Sequence, residues 1–413
     1  MPSASFHTLG CRLNQSESAS VADDLIRHGY EIVEYGKPCD VVVINTCAVT
    51  GVASQKSRQA VRLARRTHPD ARLVVMGCDA SVDAASWKAC GVDILLPHPV
   101  TESLSSLLAA GASQPEPASL PDDFRLPGCA GGSDRTRANL KIQDGCDFFC
   151  TYCIVPYARG PARSRDRADV LREARSLVGR GFRELVLCGV NLTTYSSGGA
   201  DLADLIGELL SMEGDFRIRL GSAEPGDVIP KVVDMMAKEP RLCRFLHLPL
   251  QYGEDTVLER MGRHYTTARY RTLCSYAHAH VPGICLGTDV ILGFPGETED
   301  SYEACRRYIE EIPFGLLHIF PYSERPGTAA AEFPDKVPAA LAARRASDLM
   351  RLAEKKVAAF VAGQMGTTLQ VLVEENGAGW SDNYLHVHLP QDATRNTFEQ
   401  VTIRKYLGKR EVE

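Results

Sequence analysis

The sequence predicts an α/β protein in three parts: a parallel-sheet N-terminal domain, a central partial (β/α)6 barrel and a small all-β C-terminal barrel. Short apolar runs alternate with amphipathic helical patterns over residues 1–111 and again over residues 140–338, and this order is typical of parallel sheets. Six strand-and-helix units suit a parallel barrel that is left partly open. After a helical pattern at residues 339–362, short alternating strands fill residues 363–413.

The composition is that of a globular protein and argues against a disulfide scaffold. Hydrophobic residues make up 44% and charged residues 24% of the 413 residues, and the formal net charge is −6. The first residues contain no basic segment followed by an apolar run, and no apolar run is long enough to span a membrane. We therefore expect a cytoplasmic protein with no membrane partner. In that compartment, 14 cysteines indicate metal binding and buried thiols.

Three cysteines of the N-terminal domain lie close to the ends of predicted strands. The strands are predicted at residues 5–9, 41–45 and 72–76. The cysteines that follow them are Cys11, Cys47 and Cys78. Because the carboxyl ends of parallel strands meet at one edge of a sheet, we expect the three thiols to converge. The alternative is three unrelated buried cysteines, since a free cysteine is often only a small core residue.

A linker is predicted at residues 112–139, where Gly, Ser, Pro and Asp dominate. The central domain follows, with strands predicted at residues 140–142, 184–188, 217–220, 245–248, 287–292 and 316–320. Two histidines of this domain, His247 and His318, lie inside such strand-like runs. They are predicted to be packed side chains rather than ligands.

The first strand of the central domain leads into a C-x3-C-x2-C array formed by Cys146, Cys150 and Cys153. Three thiolates this close along the chain can hold one metal centre. A structural zinc and a cubane iron-sulfur cluster both usually take four protein ligands, so one metal position is predicted to be open. The alternative is a structural zinc site with a distant fourth ligand. A basic run follows at Arg159, Arg163, Arg165 and Arg167; it offsets the charge of a cluster, anchors an anion, or is plain surface charge.

The C-terminal region is predicted to be one amphipathic helix followed by a small all-β unit. Strands are predicted at residues 368–374, 384–389 and 401–406. Trp380 lies in the segment between the first two strands, and Tyr384 begins the second strand. Both rings are suited to stacking on nucleic-acid bases, and in a barrel this small both are equally suited to the core.

The cysteine array, with Tyr152 directly before its last cysteine, resembles the signature of the radical S-adenosylmethionine (radical SAM) enzymes. The resemblance implies a [4Fe-4S] cluster on Cys146, Cys150 and Cys153 whose open iron binds S-adenosylmethionine. It also implies one-electron cleavage of the sulfonium to a 5'-deoxyadenosyl radical, while the protein positions the reactants and excludes water. In such a site Tyr152 covers the cluster or stacks on a flat ligand.

The N-terminal segments TLGCRLNQSES, VVINTCAVT and VVMGC resemble the methylthiotransferases within that superfamily. This resemblance implies a second [4Fe-4S] cluster on Cys11, Cys47 and Cys78, and it makes Asn191 and Glu224 candidates for binding the polar ends of the cofactor. The alternative for both is capping of helices or turns. The chain departs from the family pattern at Asp79-Ala80-Ser81, at Cys188 and at Tyr252. The C-terminal segment GWSDNY resembles the TRAM domain, a five-stranded RNA-associated barrel.

The start at Gly10-Cys11-Arg12-Leu13-Asn14 is most similar to the branch that acts on N6-threonylcarbamoyladenosine at position 37 of tRNA. The implied reaction adds a methylthio group to C2 of that base, and the implied partners are the tRNA anticodon loop, an electron donor and a sulfur source. One alternative is the same chemistry on another tRNA adenosine or on a ribosomal protein. The other is a non-catalytic iron-sulfur protein that binds RNA.

Overall fold

The computed structural model describes residues 1–98, 103–111, 126, 136–374 and 377–413, and it begins with a parallel five-stranded sheet of order β2-β1-β3-β4-β5. The strands are β1 (Ser3–Thr8), β2 (Glu31–Val33), β3 (Val41–Thr46), β4 (Arg72–Gly77) and β5 (Ile94–Leu96). The three predicted strands correspond to β1, β3 and β4. The prediction of a parallel α/β domain is therefore confirmed, and the two strands it missed have only three residues each.

Helices cover both faces of this sheet. They are α1 (Arg12–Arg27), α2 (Gly51–Thr67), α3 (Cys78–Val82), α4 (Ala84–Ala89) and α5 (Leu104–Ala109). Val41 and Val43 of β3 belong to one apolar cluster, whereas Val42 and Ile44 belong to the cluster on the opposite face. A strand that is covered on both sides requires a continuous apolar run. This is why the run could be predicted from the sequence.

The central domain contains six parallel strands in the order of the chain, together with one short hairpin. Its strands are β6 (Arg137–Lys141), β7 (Gln143–Asp144), β8 (Arg163–Ser164), β9 (Glu184–Cys188), β10 (Arg217–Leu220), β11 (Phe245–His247), β12 (Cys285–Leu292) and β13 (Phe314–Pro321). Strands β7 and β8 form the hairpin. The others pair as β6-β9-β10 and β11-β12-β13. Parallel bridges at Ile218–Leu242 and Ser222–His247 connect the two halves, which gives the predicted partial barrel.

Most helices of the central domain pack on the outer face of these strands, whereas the first packs against α3 of the N-terminal domain. They are α6 (Val155–Arg159), α7 (Arg167–Gly179), α8 (Leu202–Leu210), α9 (Ile229–Met236), α10 (Asp255–Arg260), α11 (Thr267–His280) and α12 (Glu299–Glu311). Leu286 and Val290 of β12 lie in the same apolar cluster as Leu273 and Ala277 of α11. Because side chains alternate along a strand, Asp289 of β12 faces the concave side of the barrel.

Residues 112–125 and 127–135, which make up most of the predicted linker, lie outside the described residues. Strand β6 begins at Arg137, so the central domain starts slightly earlier than predicted. Beyond that domain, α13 (Ala339–Ala362) has the predicted bounds. Among the described residues, no helix combines the length and the apolar character needed to cross a membrane.

The chain ends in a small all-β unit of six strands with order β17-β14-β15-β16-β19-β18. The strands are β14 (Thr368–Val373), β15 (Ala378–Ser381), β16 (His386–His388), β17 (Phe398–Thr402), β18 (Tyr406–Gly408) and β19 (Glu411–Val412). The resemblance to a TRAM domain predicted five strands. The structure has six: β14 to β17 form an antiparallel part, and the short strands β18 and β19 pair with each other and extend the sheet from β16.

A buried ion cluster joins the inner face of the barrel to the C-terminal unit. The Glu184 carboxylate accepts hydrogen bonds from Arg217 Nε at 2.7 Å and from Arg219 Nε at 2.8 Å. The same guanidinium groups donate to the carbonyl oxygens of Trp380 at 2.8 Å and Ser381 at 2.9 Å. Burial alone would raise the pKa of Glu184, but Arg219 and Arg217 outweigh it and hold this pKa well below its usual value. The cluster therefore fixes one domain against the other.

We expect the substitution Glu184→Gln to lower the free energy of unfolding by about 3 kcal/mol, because it leaves two buried guanidinium groups without their carboxylate. Thermal unfolding of the anaerobically purified protein, followed by circular dichroism, measures the effect as a lower apparent midpoint. The matched control is Glu213→Gln, which changes an exposed glutamate. An unchanged midpoint for Glu184→Gln would show that the cluster does not hold the two domains together.

Candidate active site

Cys146, Cys150 and Cys153 lie together in the loop between β7 and α6. This loop requires Gly145, which has a φ of +69° and whose Cβ would lie 1.9 Å from the Pro161 carbonyl oxygen. The Cys153 N–H donates to the Cys150 carbonyl at 2.9 Å, which closes a tight turn. Burial first, and then Cys150 and Cys146, raise the pKa of Cys153 to about 12. Thiols that oppose one another's ionisation in this way become thiolates when a cation binds among them.

The three cysteines are named the radical triad. Arg263 connects this triad to two of the predicted cofactor residues. Its Nη1 donates to Cys150 Sγ at 3.2 Å and to the Tyr152 hydroxyl at 3.4 Å, and its Nη2 forms an ion pair with Glu224. Tyr152 and Glu224 thus lie beside the triad, and their contact with the cofactor stays a prediction. Sequence reasoning missed Arg263, which is 113 residues from Cys150. No local pattern in the sequence relates the two residues.

Asn191 combines a capping role with an unsatisfied donor. Its Oδ1 accepts hydrogen bonds from Thr193 N–H at 3.1 Å and Thr193 Oγ1 at 2.7 Å, so the side chain caps the 3-10 helix Leu192–Thr194. Its Nδ2 is buried and has no hydrogen-bond partner among the described residues. A buried amide group in this state is suited to a ligand that accepts a hydrogen bond.

Cys11, Cys47 and Cys78 converge at the carboxyl ends of β1, β3 and β4. Gly10 lies so close to Cys47 that a Cβ on Gly10 would be 2.9 Å from Cys47 Cβ and 3.1 Å from Cys47 Sγ. Cys11 is the residue before α1, and Cys78 is the first residue of α3. Burial first, opposed by Arg159 and reinforced by Cys11, Glu17 and Cys47, raises the pKa of Cys78 to about 12. The three thiols form a second site, the auxiliary triad, of the kind that suits a thiolate-bound cluster.

Arg159 links the helix that follows the radical triad to Cys78 of the auxiliary triad. It is the last residue of α6, which begins just after Cys153, and its Nε donates to Cys78 Sγ at 3.2 Å. Its Nη1 donates to Glu17 at 2.8 Å and Asp144 at 2.9 Å, and its Nη2 donates to Asn14 at 2.9 Å. Ile154 and Ala158 pack in one apolar cluster with Ala48 and Cys78. The two cysteine sites are therefore neighbours across the domain boundary.

The four arginines after the radical triad have separate environments. Arg159 is buried beside the auxiliary triad, and Arg165 is buried in ion pairs with Asp169 and Glu173. Arg163 Nη2 lies 3.5 Å from Asp144. Arg167 is half-exposed and pairs with Glu208. Of the four arginines, Arg167 is therefore the only one that fits the prediction of plain surface charge.

The residues that depart from the family pattern have structural contacts. Asp79 accepts a hydrogen bond from Ser54 Oγ at 2.6 Å, and Arg325 of the central domain donates to the same hydroxyl at 3.0 Å. Tyr252 is fully buried in the core. The Cys188 thiol donates to the Val186 carbonyl oxygen at 3.3 Å. These residues therefore serve packing and domain contact.

A cavity of about 400 Å³ lies between α1, the inner face of the barrel and the C-terminal unit. Trp380 and Tyr384 line it, and their rings stack with centroids 4.8 Å apart. The Tyr384 hydroxyl accepts a hydrogen bond from Arg12 at 2.8 Å. The guanidinium carbon of Arg137 lies over the Trp380 ring, 5.5 Å from the ring centroid. The two rings are half-buried, so they border the cavity rather than fill the barrel core.

Comparisons with known proteins agree with this architecture. The model of the radical SAM superfamily matches residues 140–309, and the model described as "Uncharacterized protein family UPF0004" matches residues 3–96. A solved structure of the radical SAM methyltransferase TsrM from Kitasatospora setae, with cobalamin and a [4Fe-4S] cluster bound, aligns with a TM-score of 0.58. It covers 80% of this chain and 74% of that chain at 14% identity, which supports the fold alone.

Two curated relatives match nearly the whole chain. The threonylcarbamoyladenosine tRNA methylthiotransferase MtaB of Bacillus subtilis is 35% identical over 94% of this chain and 90% of its own length. The tRNA-2-methylthio-N(6)-dimethylallyladenosine synthase of Dictyoglomus thermophilum is 34% identical over 91% of this chain and 88% of its own length. The family uses S-adenosylmethionine and [4Fe-4S] clusters, for which the two triads supply thiol ligands. This chain belongs to the radical SAM tRNA methylthiotransferase family.

Proposed function

We propose that this enzyme adds a methylthio group to C2 of N6-threonylcarbamoyladenosine at position 37, in the anticodon loop of tRNA. The main structural support for this type of reaction is the contact between Arg159 and Cys78, which makes the two triads neighbours. The GCRLN start of the chain and the relative in Bacillus subtilis named for this base support the choice of substrate. The proposed compartment is the cytoplasm, where tRNA is available.

The chain's own residues divide between the two cofactor sites. Cys146, Cys150 and Cys153 would hold one [4Fe-4S] cluster, and Cys11, Cys47 and Cys78 the other. When bound, the clusters and S-adenosylmethionine supply the one-electron chemistry and the methyl group that acid-base residues cannot supply at an unactivated C2–H bond.

Three further side chains are placed to orient the cofactor at the radical triad. Asn191 Nδ2 offers a buried hydrogen-bond donor, and Glu224 offers a carboxylate that accepts from an amine. Tyr152, beside Cys150, shields the site from water. Arg263 and Arg159 each donate to one thiol sulfur, so each partly offsets the negative charge of a thiolate-bound cluster.

The substrate reaches such a site only as an unpaired or splayed nucleotide, because C2 of a stacked and paired adenine is inaccessible. The cavity bordered by Arg12, Arg137, Trp380 and Tyr384 offers cationic and aromatic groups of the kind that bind single-stranded RNA. The reaction also needs an electron donor and a sulfur source as partners. A second candidate is dimethylallyladenosine in tRNA, which the 34% identical relative in Dictyoglomus thermophilum favours.

The first prediction for this function separates the roles of the two triads. We expect the wild-type protein, reconstituted anaerobically, to bind about eight iron atoms per chain and to convert N6-threonylcarbamoyladenosine in tRNA to its methylthio derivative. Cys150→Ala should remove both 5'-deoxyadenosine and the methylthio product. Cys47→Ala should retain 5'-deoxyadenosine and remove the methylthio product, because only the auxiliary cluster is lost.

Mass spectrometry of tRNA nucleosides and of 5'-deoxyadenosine measures these outcomes. The control is Cys90→Ala, which changes a half-buried cysteine outside both triads. Conversion of dimethylallyladenosine instead of N6-threonylcarbamoyladenosine would select the second candidate. A Cys47→Ala variant with full methylthio transfer would exclude a role for the auxiliary triad.

The role of Arg159 beside Cys78 can be tested by a substitution that keeps its charge. We expect Arg159→Lys to keep a positive charge near Cys78 but to lose the forked contacts with Glu17, Asp144 and Asn14. Methylthio transfer should fall by about 10- to 100-fold, the usual cost of losing a group that supports a metal ligand. The electron paramagnetic resonance signal of the reduced auxiliary cluster should also change, while 5'-deoxyadenosine formation persists.

The matched control is Arg167→Lys, which changes the half-exposed arginine of the same basic run. Equal activity of Arg159→Lys and the wild-type protein would mean that the charge alone is sufficient. Loss of both cluster signals would instead indicate that the substitution disrupts the fold.

A further inference from the structure

Two histidines and an aspartate form a cluster on the concave face of the barrel. His247 ends β11, Asp289 lies in β12 and His318 lies in β13. Asp289 Oδ1 is 3.1 Å from His318 Nδ1 and 3.3 Å from His247 Nε2. The prediction of a packed side chain is confirmed for His247, which is 8% exposed, and is wrong for His318, whose side chain is 49% exposed. The alternation along the three neighbouring strands directs both rings to the same inner face as Asp289.

The position of His247 is closely determined by its surroundings. Gly287 of β12 leaves the space for its ring, since a Cβ there would lie 2.8 Å from His247 Cδ2. Ser222 Oγ lies 3.1 Å from His247 Nδ1 and fixes the ring orientation. His247 is 8% exposed, and its Nε2 lies 3.3 Å from Asp289 Oδ1. The His247 ring is therefore held between Ser222 and Asp289.

A chain of side-chain contacts connects the cluster to the radical triad. From Cys150 they pass through Arg263 to Glu224, which lies in the same loop as Ser222, and from Ser222 to His247. On the other side of the cluster, Phe245 of the same strand contacts Tyr384 of the C-terminal unit with ring centroids 4.2 Å apart. The cluster therefore lies on the inner wall between the radical triad and the contact with the C-terminal unit.

We infer that His318, held by Asp289 and flanked by His247, hydrogen-bonds the N6-threonylcarbamoyl group of the substrate adenosine. This inference rests on the proposed function. The His318 side chain is 49% exposed, and Asp289 binds only its Nδ1, which leaves Nε2 to the lumen. Because Nδ1 donates to Asp289, Nε2 is placed to accept a hydrogen bond from an N–H or hydroxyl of the group.

The same arrangement selects against an apolar N6 substituent. A dimethylallyl group in this position would exclude water from His318 Nε2 without offering it a hydrogen bond. Sites built to hydrogen-bond a substrate reject analogues that lack the polar group, because the buried polar atoms of the protein are then left unpaired. The cluster would therefore distinguish N6-threonylcarbamoyladenosine from dimethylallyladenosine. The enzymes named for these two bases are almost equally identical in sequence to this chain.

The test compares two variants on two tRNA substrates that differ only at N6 of adenosine 37. We expect His318→Leu and Asp289→Asn to lower kcat/KM for N6-threonylcarbamoyladenosine by about 10- to 100-fold, as for loss of one or two hydrogen bonds. On tRNA with unsubstituted adenosine the value should change by less than about 3-fold. Formation of 5'-deoxyadenosine without RNA should equal that of the wild-type protein, because the radical triad is untouched.

The matched control is His278→Ala, which changes an exposed histidine on the outer helix α11. Equal losses on both tRNAs would show a structural role and overturn the inference. The inference would also be overturned if both variants kept the wild-type ratio of kcat/KM between the two tRNAs, even if the wild-type protein modifies N6-threonylcarbamoyladenosine as proposed. The three side chains also have ligand atoms close enough to hold one metal ion. A stoichiometric divalent metal other than iron, retained by the wild-type holoenzyme and lost in Asp289→Asn, would likewise overturn it.

Discussion

The buried ion pairs of Arg159 are the interaction on which the relation between the two cysteine sites depends. A guanidinium, two carboxylates and the Lys141 ammonium lie almost fully out of water at this point. Burying such charges is costly unless every one is paired. Glu17 comes from α1, whereas Asp144 and Arg159 come from the central domain. The pairing is complete only when the two domains are in this one arrangement, so the same contacts that remove the energetic cost also set the two triads side by side.

The two arginines that contact sulfur have equivalent positions at the two triads. Arg159 donates to Cys78 and Arg263 donates to Cys150, both at 3.2 Å. Burial raises the pKa of Cys78 and of Cys153 to about 12, so protonated thiols are the stable form without a metal. A bound cluster reverses this preference, since it requires thiolates and concentrates negative charge. Each triad therefore has one fixed cation that favours the metal-bound form, and each cation is itself neutralised by carboxylates of the protein.

The two triads could be predicted from the sequence because each follows a local rule. Cys146, Cys150 and Cys153 are close along the chain, and Cys11, Cys47 and Cys78 follow parallel strands that must end at one edge. The basic run that includes Arg159 was predicted as one that could offset the charge of a cluster, but its contact with Cys78 spans 81 residues and could not be predicted. Arg263 was not predicted, because its contact with Cys150 spans 113 residues and no periodicity relates the two. Short strands such as β2 and β5 were missed because three residues carry no detectable alternation.

The alternation of residues along a strand does not show on its own whether the barrel histidines belong to a binding site. His247 and His318 each follow the alternation of an inward-facing strand residue, and that pattern is the same for a packed side chain and for one that lines a lumen. The distinction depends on Gly287, whose missing side chain admits the His247 ring, and on Asp289, which pairs with both imidazoles. Both features lie on a neighbouring strand, so they become visible only in the register of β11, β12 and β13. A polar wall of this kind, facing a chamber that must admit one base, gives the enzyme a physical means to recognise what is attached to N6 of that base.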